Sequence, residues 1–174
     1  QETGISAAER LKTITKEELA GMLYENSDEP YCEELAKAIT DEIRKGHRMD
    51  TTTKLRQVIE QTLSFLPENK EKKDIVRKTC QRTFQALRID VNNEFEVLYE
   101  FMEKLPEALK PGGRVAILTF HSGEDKLVKR ALKDGYRQGI YSEYAKDVIR
   151  PSAKECAQNG RARSTKMRWA VKAK

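Results

Sequence analysis

A lone histidine stands at the end of the apolar stretch RVAILTF, in the segment GGRVAILTFHSGED at 112–125. In an open α/β sheet, ligands bind beyond the carboxyl ends of strands, and His121 occupies such a place. A neutral imidazole can accept or donate a hydrogen bond at a bound polar group, beside the hydroxyl of Ser122. We take His121 and Ser122 as candidate catalytic residues. The alternative is that Ser122 and Asp125 cap a following helix while His121 satisfies a nearby carbonyl.

A second candidate site lies in the stretch RTFQALRIDVNNE, which begins at Arg82. Arg82, Gln85 and Arg88 follow at intervals of three, which places them on one helix face. Such a face can bind phosphate or read a base edge. Asn92 and Asn93 are unfavourable within a helix and predict a break or a polar contact. We expect all five residues to contact a nucleic-acid substrate; the alternative is a salt-bridged surface helix.

Basic residues are concentrated at the C-terminal end of the chain. The net charge is +5, and residues 160–174 contain six Lys or Arg and no Asp or Glu. Within this segment the sequence RARS supplies Arg161, Arg163 and Ser164, which can grip a phosphate. A local basic patch suits a polyanion such as nucleic acid, and we take these three residues as candidates for nucleic-acid binding. The alternative is a solvated strand with its Lys and Arg on the polar face.

Several classes of site are excluded by the sequence. It has no GxGxxG or P-loop motif and no GxSxG motif. Cys32, Cys80 and Cys156 lie far apart without a CxxC pair or a Cys/His cluster. We therefore expect no metal site and three free thiols in a reducing cytoplasm. The mean hydropathy is −0.75, and no apolar run is long enough for a transmembrane helix.

Hydrophobic spacing predicts helices over most of the first 66 residues, with Thr15 and Glu18 forming a capping box. The charge-rich stretch 68–78 predicts a connector. A helical pattern then runs from Arg82 to about Leu109, with a break expected around 90–93.

The rest of the chain predicts a strand, a helix, a loop and a final strand. The apolar run that ends at Phe120 has strand length, and a further short strand is expected near 148–149. In the last segment, KMRWAVK, alternation predicts that Met167 and Trp169 face the core while Arg168 faces solvent. The fold class is therefore α/β and predominantly helical, although a doubly wound sheet needs more than two or three strands.

Four stretches, in order, carry a resemblance to a known family: GISAAERLKTITKEELAGML, CQRTFQALRIDVNNE, LKPGGRVAILTFHSGEDKLVKR and RPSAKECAQNGRARSTKMRWAV. Together they closely resemble the C-terminal half to two-thirds of the bacterial small-subunit rRNA cytosine-N4 methyltransferases. The similarity covers nearly the whole chain and is weakest at 135–147. Four motifs in one order are far more specific than LKPGG alone, which many class I methyltransferases share.

The resemblance implies an S-adenosylmethionine-dependent enzyme that methylates the exocyclic N4 of a cytidine in small-subunit rRNA. It implies a helical, insertion-type subdomain at 1–80 and the C-terminal part of a Rossmann-like class I methyltransferase domain at 81–174. In those terms 114–120 is the fifth strand of the catalytic sheet, and the segments near 148 and at 166–172 are the last two.

The family holds its cofactor with a glycine-rich loop and an acidic residue in strands one to four, and this sequence contains neither. We therefore assign no cofactor residues and expect a fragment or truncated form that lacks the cofactor-binding lobe and is inactive alone. We expect the open edge of strand 114–120 to be covered by a second copy, as a homodimer, or by rearranged helices. Two alternatives stay open: a non-catalytic RNA-binding or ribosome-assembly protein, and a methyltransferase for another substrate.

Two positions depart from the family pattern. Gly123 stands where the family usually has a bulky aliphatic residue, which changes the packing of the loop. Arg10 stands where the family often carries an aromatic residue. If that aromatic stacks on the base, this chain lacks it.

Overall fold

The computed structural model describes residues 4–174, which divide into two compact units. The first unit extends to Glu94 and the second covers Phe95–Lys174. The described residues are mostly helical, with a small three-stranded antiparallel sheet. None of the described helices is both long and apolar enough to cross a membrane.

In the described part of the first unit there are five helices: α1 (Ala7–Thr13), α2 (Lys16–Ser27), α3 (Cys32–Arg44), α4 (Thr52–Thr62) and α5 (Lys70–Val91). The predicted capping box at the start of α2 is confirmed, because Thr15 accepts the backbone N–H of Glu18 and Glu18 accepts that of Thr15. The apolar stripes of these helices meet in one core. Its large, fully buried members are Leu19, Leu23, Leu35, Ile39, Ile59 and Leu63.

The connector predicted at 68–78 is wrong, because α5 starts at Lys70. Asn69 caps the helix by accepting the backbone N–H of Lys72 at 2.8 Å. The dense charges pair along the helix, as Asp74 does with Lys78 at 2.7 Å, so they favour a helix that looks like a linker by composition. Ile75 turns inward and packs against the core.

The predicted break near 90–93 is confirmed. Helix α5 ends at Val91, and α6 (Glu94–Ala108) begins at the boundary between the units. Asn93 has a φ of +48°, the left-handed conformation that asparagine adopts more readily than most residues.

The second unit continues with β1 (Arg114–Thr119), α7 (Ser122–Arg137), β2 (Tyr141–Tyr144), α8 (Ala153–Gln158), a 3₁₀ turn (Gly160–Ser164) and β3 (Lys166–Lys172). The strand order is β1-β3-β2, and β3 runs antiparallel to both neighbours. The strand predicted near 148–149 is wrong: the strand lies at Tyr141–Tyr144. Ile149 makes an isolated antiparallel bridge to Met167.

The predicted facing of β3 is also wrong. Arg168 and Ala170 are buried on the α7 side of the sheet, whereas Met167 and Trp169 lie on the other face and are half-buried. Alternation separates the two faces of a strand but does not identify the covered one. The covered face packs on a core of Met102, Leu105, Val128, Leu132, Tyr141 and Ala170.

The opposite face of the sheet is apolar and open. Leu118 lies opposite Met167 in the register and is 57% exposed, and Phe120, just past β1, is 55% exposed. Within the described residues β1 pairs with β3 alone, so its outer edge is also open.

Candidate nucleic-acid interface

His121 caps helix α7. Its backbone is extended, and its Nδ1 accepts the backbone N–H of Glu124 at 3.4 Å. The Glu124 carboxylate reaches back and accepts the backbone N–H of Phe120 at 2.9 Å. This reciprocal pair resembles a capping box in which a ring nitrogen replaces the usual hydroxyl. The predicted capping by Ser122 and Asp125 is wrong by one position, because Ser122 is already the first residue of the helix.

The cap determines which ring nitrogen of His121 carries the proton in the neutral ring. Because Nδ1 accepts a hydrogen bond, the neutral ring carries its proton on Nε2. Nε2 lies 3.4 Å from Oε1 of Glu124 but has no hydrogen-bond partner among residues 4–174. This imidazole, aided by the Phe120 N–H and opposed by burial, lowers the pKa of Glu124 to about 2. As folded, Nδ1 of His121 is occupied by the cap and Nε2 is buried beside Glu124, whereas Ser122 is exposed.

The departure at Gly123 has a packing cause. A Cβ at position 123 would lie 2.6 Å from Cζ of Phe95 and 3.3 Å from Cε1 of His121. The Phe95 ring also packs edge-on against the His121 ring, with centroids 5.7 Å apart. An aromatic ring from α6 thus fills the space into which a side chain at 123 would project, and it helps to hold His121 in place.

A buried ion pair ties α7 to β3. Arg168 donates from Nε and Nη2 to the two oxygens of Asp125, at 2.7 and 3.1 Å. The two side chains are only 6% and 15% exposed. Nη1 of Arg168 donates to the carbonyls of Ala145 and Lys146, at 3.4 and 3.2 Å. The guanidinium therefore has a partner at each of its three nitrogens, which is what makes its burial tolerable.

Sequence reasoning missed this pair, since no local pattern links positions 43 residues apart. Burial opposes the ionisation of Asp125, but the hydrogen bonds and charge of Arg168 outweigh it, with help from Lys166 and Arg150. The pKa of Asp125 consequently lies below its ordinary value.

The antiparallel pairing brings two predicted sites to one end of the sheet. Thr119, the last residue of β1, lies opposite Lys166, the first of β3. His121 and Ser122 follow β1 directly, and the RARS segment at 161–164 directly precedes β3. We call this end of the sheet, with these two segments, the sheet-end surface.

The RARS segment forms a capped 3₁₀ turn. Asn159 accepts the backbone N–H of Arg161 at 3.1 Å, and Ala162 is buried beneath the turn. Ser164 donates its hydroxyl to the carbonyl of Arg161 at 3.5 Å. Arg161 and Arg163 are exposed, and in the described part of the chain neither guanidinium has a hydrogen-bond or ion-pair partner. The turn therefore presents two unpaired positive charges to solvent.

The predicted substrate residues of α5 lie in the first unit, and they have partners there. Arg88 donates from Nε and Nη2 to the carboxylate of Glu94, at 2.9 and 3.0 Å. Asn92 donates to the same carboxylate at 3.1 Å. Asn93 provides the left-handed turn. These contacts match the salt-bridged surface helix, which is the alternative to nucleic-acid binding for this stretch. RNA binding by these residues stays a prediction.

Arg82 and Gln85 also make contacts within the first unit. Nε2 of Gln85 donates to the carbonyl of Asn26 at 3.4 Å, which ties α5 to the end of α2. Nη1 of Arg82 lies 3.8 Å from Oε2 of Glu29, and the Arg82 side chain is 39% exposed. Arg82 thus keeps much of its guanidinium available to a ligand.

Glu29 is a buried carboxylate that the sequence pattern did not reveal. Its side chain is fully buried, and Oε1 accepts the backbone N–H of Tyr31 at 3.1 Å and the hydroxyl of Thr79 at 3.3 Å. Oε2 has no hydrogen-bond partner among the described residues. Burial raises the pKa of Glu29 above its ordinary value, although these hydrogen bonds and Arg82 oppose the shift.

Arg10, which departs from the family pattern, forms an ion pair. Nε of Arg10 donates to Asp90 at 3.0 Å, with the two side chains 31% and 26% exposed. This contact ties α1 to the last turn of α5. At the position where the resemblance predicts an aromatic ring, this chain therefore has a salt bridge between two of its helices.

Comparison with known proteins places the chain in a family. The profile of the MraW methylase family matches residues 1–173. The chain belongs to this family. The match runs through both units, so the helical unit and the sheet unit are both parts of the family's architecture.

Named relatives support the same placement. The chain is 85% identical to ribosomal RNA small subunit methyltransferase H 1 of Agathobacter rectalis, over 98% of this chain and 48% of that protein. It is 69% identical to the protein of the same name from Lachnoclostridium phytofermentans, over 99% of this chain and 47% of that protein. A Rickettsia prowazekii relative, ribosomal RNA small subunit methyltransferase H, is 37% identical over 97% of this chain and 58% of that protein. The chain thus spans about half the length of the curated relatives it matches.

Proposed function

We propose that this chain forms the RNA-holding part of an S-adenosylmethionine-dependent methyltransferase that modifies the N4 amine of a cytidine in small-subunit rRNA. The observation that carries the proposal is the pair of exposed, unpaired guanidiniums of Arg161 and Arg163 at the same end of the sheet as His121. Family membership and the names of the relatives support the reaction class.

The residues of the sheet-end surface suit the handling of an unstacked base. The cytosine amine is a weak nucleophile, because its lone pair is delocalised into the ring, so the base must be held and oriented. Nε2 of His121 is buried as folded, so its N–H could donate to an acceptor on the base only once the surrounding loop moves aside. The exposed Ser122 hydroxyl can accept from the amine without such a movement. Arg161 and Arg163 can grip the flanking phosphates. In this scheme His121 orients the base and does not remove its proton.

The described residues do not fit a site for the methyl donor. Binding the ribose of such a cofactor calls for a free carboxylate at a strand end. After β1 the two candidates are engaged: Glu124 by the Phe120 N–H and His121, and Asp125 by Arg168. We propose that the chain alone neither binds S-adenosylmethionine nor transfers a methyl group, and we assign no step to cofactor chemistry.

The proposal is tested by titrating S-adenosylmethionine into the chain in a calorimeter and by assaying methyl transfer to rRNA and to DNA cytosines. We expect no heat at millimolar ligand and no transfer by the chain alone. A protein of the relatives' full length that contains this chain should methylate rRNA and not DNA. Micromolar binding by the chain would show that it contains a cofactor site, and transfer to DNA would show that the substrate assignment is wrong.

We also propose that β1, β3 and β2 are the C-terminal end of a larger Rossmann-like sheet. The open outer edge of β1 and the exposed apolar face around Leu118 and Phe120 support this, since such surfaces are normally covered. The helical insertion-type subdomain, expected at 1–80, would then extend through the first unit, because α5 is continuous past residue 80. The methyltransferase part, expected at 81–174, would correspond to the second unit.

A second copy of the chain could cover the same edge, and we propose homodimerisation of the isolated chain by this route. Light scattering coupled to size exclusion tests it. A clean monomer at high concentration would exclude the dimer. An rRNA substrate would also place the protein in the cytoplasm, which fractionation of cells checks directly.

A further inference from the structure

A bridge beside the sheet-end surface aligns two basic residues. The backbone groups of Ile149 and Met167 exchange two hydrogen bonds, each 3.0 Å long. In an antiparallel pair, the residue after Ile149 lies opposite the residue before Met167, so Arg150 is across from Lys166. Both residues then lie on the face that carries Arg168. Their effect on the pKa of Asp125 is consistent with this placement.

This alignment is unfavourable for the isolated chain. Like charges directly across a strand pair destabilise a sheet. Asp125 feels the charge of both Arg150 and Lys166, but each of its oxygens already accepts a hydrogen bond from Arg168. Over residues 4–174 the side chains of Arg150 and Lys166 have no ion-pair or hydrogen-bond partner. The single negative charge of Asp125 thus faces three positive charges, those of Arg168, Arg150 and Lys166, and cannot balance them all.

The excess positive charge of Arg150 and Lys166 adjoins that of the RARS turn. Arg161 and Arg163 stand a few residues before Lys166 and are also unpaired. Arg150, Arg161 and Arg163 are exposed, and Lys166 is half-buried. We call these four residues the basic rim. A polyanion laid across the rim would relieve the repulsion between Arg150 and Lys166.

We propose that Arg150 and Lys166 bind backbone phosphates of single-stranded RNA and so extend the RNA-binding surface beyond the RARS turn. This inference rests on the proposed function, since it places the added contacts next to the base held at His121. A base that an enzyme reaches from solvent lies in an unpaired segment, whose phosphates are accessible on either side of it. The contact carries no sequence information, because it is made to phosphate alone.

The test is the salt dependence of RNA binding by the full 174-residue chain. Fluorescence anisotropy of a labelled single-stranded oligoribonucleotide is measured from about 50 to 200 mM salt for the wild type and for Arg150→Ala/Lys166→Ala. The matched control is Lys172→Ala/Lys174→Ala, which removes the same charge from the opposite end of β3, about 20 Å away. Far-UV circular dichroism and Trp169 fluorescence confirm that each variant is folded.

Each phosphate contact to a single strand contributes about −0.7 to the slope of log K against log salt, so we expect the slope of the Arg150/Lys166 variant to be shallower by about 1.4. Its affinity at 0.1 M salt should fall by roughly tenfold or more, while the control keeps the wild-type slope. An unchanged slope and affinity in a variant that is folded would overturn the inference.

The outcomes also separate the inference from the proposed function. If Arg161→Ala/Arg163→Ala abolishes binding while Arg150→Ala/Lys166→Ala binds like the wild type, the proposed function stands and the extension is wrong. If the wild-type chain does not bind the oligoribonucleotide even at 50 mM salt, the proposed RNA-holding role is wrong, and the inference fails with it.

Discussion

Replacing Asp125 with asparagine should strongly destabilise the second unit. The substitution keeps the size of the side chain but removes its charge and one acceptor oxygen. Arg168 would stay buried, with one hydrogen bond at position 125 and the two carbonyls of Ala145 and Lys146. Its positive charge would no longer have a counterion within hydrogen-bond distance.

The expected loss is about 3–5 kcal/mol, the cost of removing one partner from a buried pair. Little of this is screened by solvent, because the side chains of Arg168 and Asp125 are only 6% and 15% exposed. A unit of this size is stable by roughly 4–12 kcal/mol, so the variant should be close to unfolding. The double variant Asp125→Leu/Arg168→Met removes both charges and should recover most of the loss.

Urea unfolding at pH 7, followed by tryptophan fluorescence, measures the effect. Trp169 is the single tryptophan of the chain and lies next to Arg168 in β3, so its signal reports on the second unit. Far-UV circular dichroism, dominated by helices, serves as the control for the first unit. A difference in unfolding free energy below about 1 kcal/mol would refute the reasoning, because a buried charge without a partner should cost more.

The pH dependence adds an independent check. The pKa of Asp125 in the folded protein lies below its ordinary value, so its ionised form stabilises the fold above about pH 4, the range of an unfolded aspartate. That stabilisation is lost as the pH falls through the folded pKa. The gap between wild type and Asp125→Asn should therefore narrow below about pH 4. A gap of constant size would mean that the effect comes from packing rather than charge.

Three further substitutions test other parts of the structure. His121→Asn should keep the α7 cap and the stability while weakening RNA binding, whereas His121→Ala should also lose about 1 kcal/mol in urea unfolding; equal stabilities would argue against the cap. Gly123→Leu should cost about 1–3 kcal/mol through its clash with Phe95, and a wild-type melting curve would show that the ring can move aside. Glu29→Gln should stabilise the first unit at pH 7. Because the pKa of Glu29 is raised in the folded protein, wild-type stability falls as the pH rises from about 4.3 through the folded pKa. The neutral amide of the variant does not titrate, so the stability of the variant does not fall in this way. A less stable Gln variant at pH 7 would contradict this.

Structural features that depend on residues close together in the sequence could be predicted. The capping box at Thr15 and the break at Asn93 depend on residues no more than a few positions apart, and both are confirmed. The connector predicted at 68–78 is wrong because the charged residues at the start of α5 resemble those of a linker. What decides between helix and linker there is the pairing of those charges, together with inward residues such as Ile75, which composition does not show.

Structural features that depend on residues far apart in the sequence could not be predicted. The place of His121 at the end of a strand followed from the apolar run before it, but its capping role depends on where α7 begins. The burial of Arg168 depends on Asp125 in another element, so a rule that sends arginine to solvent gives the wrong face. His121 and the RARS turn lie at the same end of the sheet because of the register between β1 and β3. No local sequence pattern predicts that register.

The order of strands has a consequence for how the chain folds during its synthesis. The central strand, β3, is the last of the three to be made, and β1 and β2 pair with it rather than with each other. None of the strand pairs described within residues 4–174 can therefore form until Lys166–Lys172 has left the ribosome. The first unit consists of helices whose partners in that unit are all available earlier. The emerging chain would carry a folded helical unit while the apolar strand β1 waits for its partner, and this interval is when chaperones would act on it.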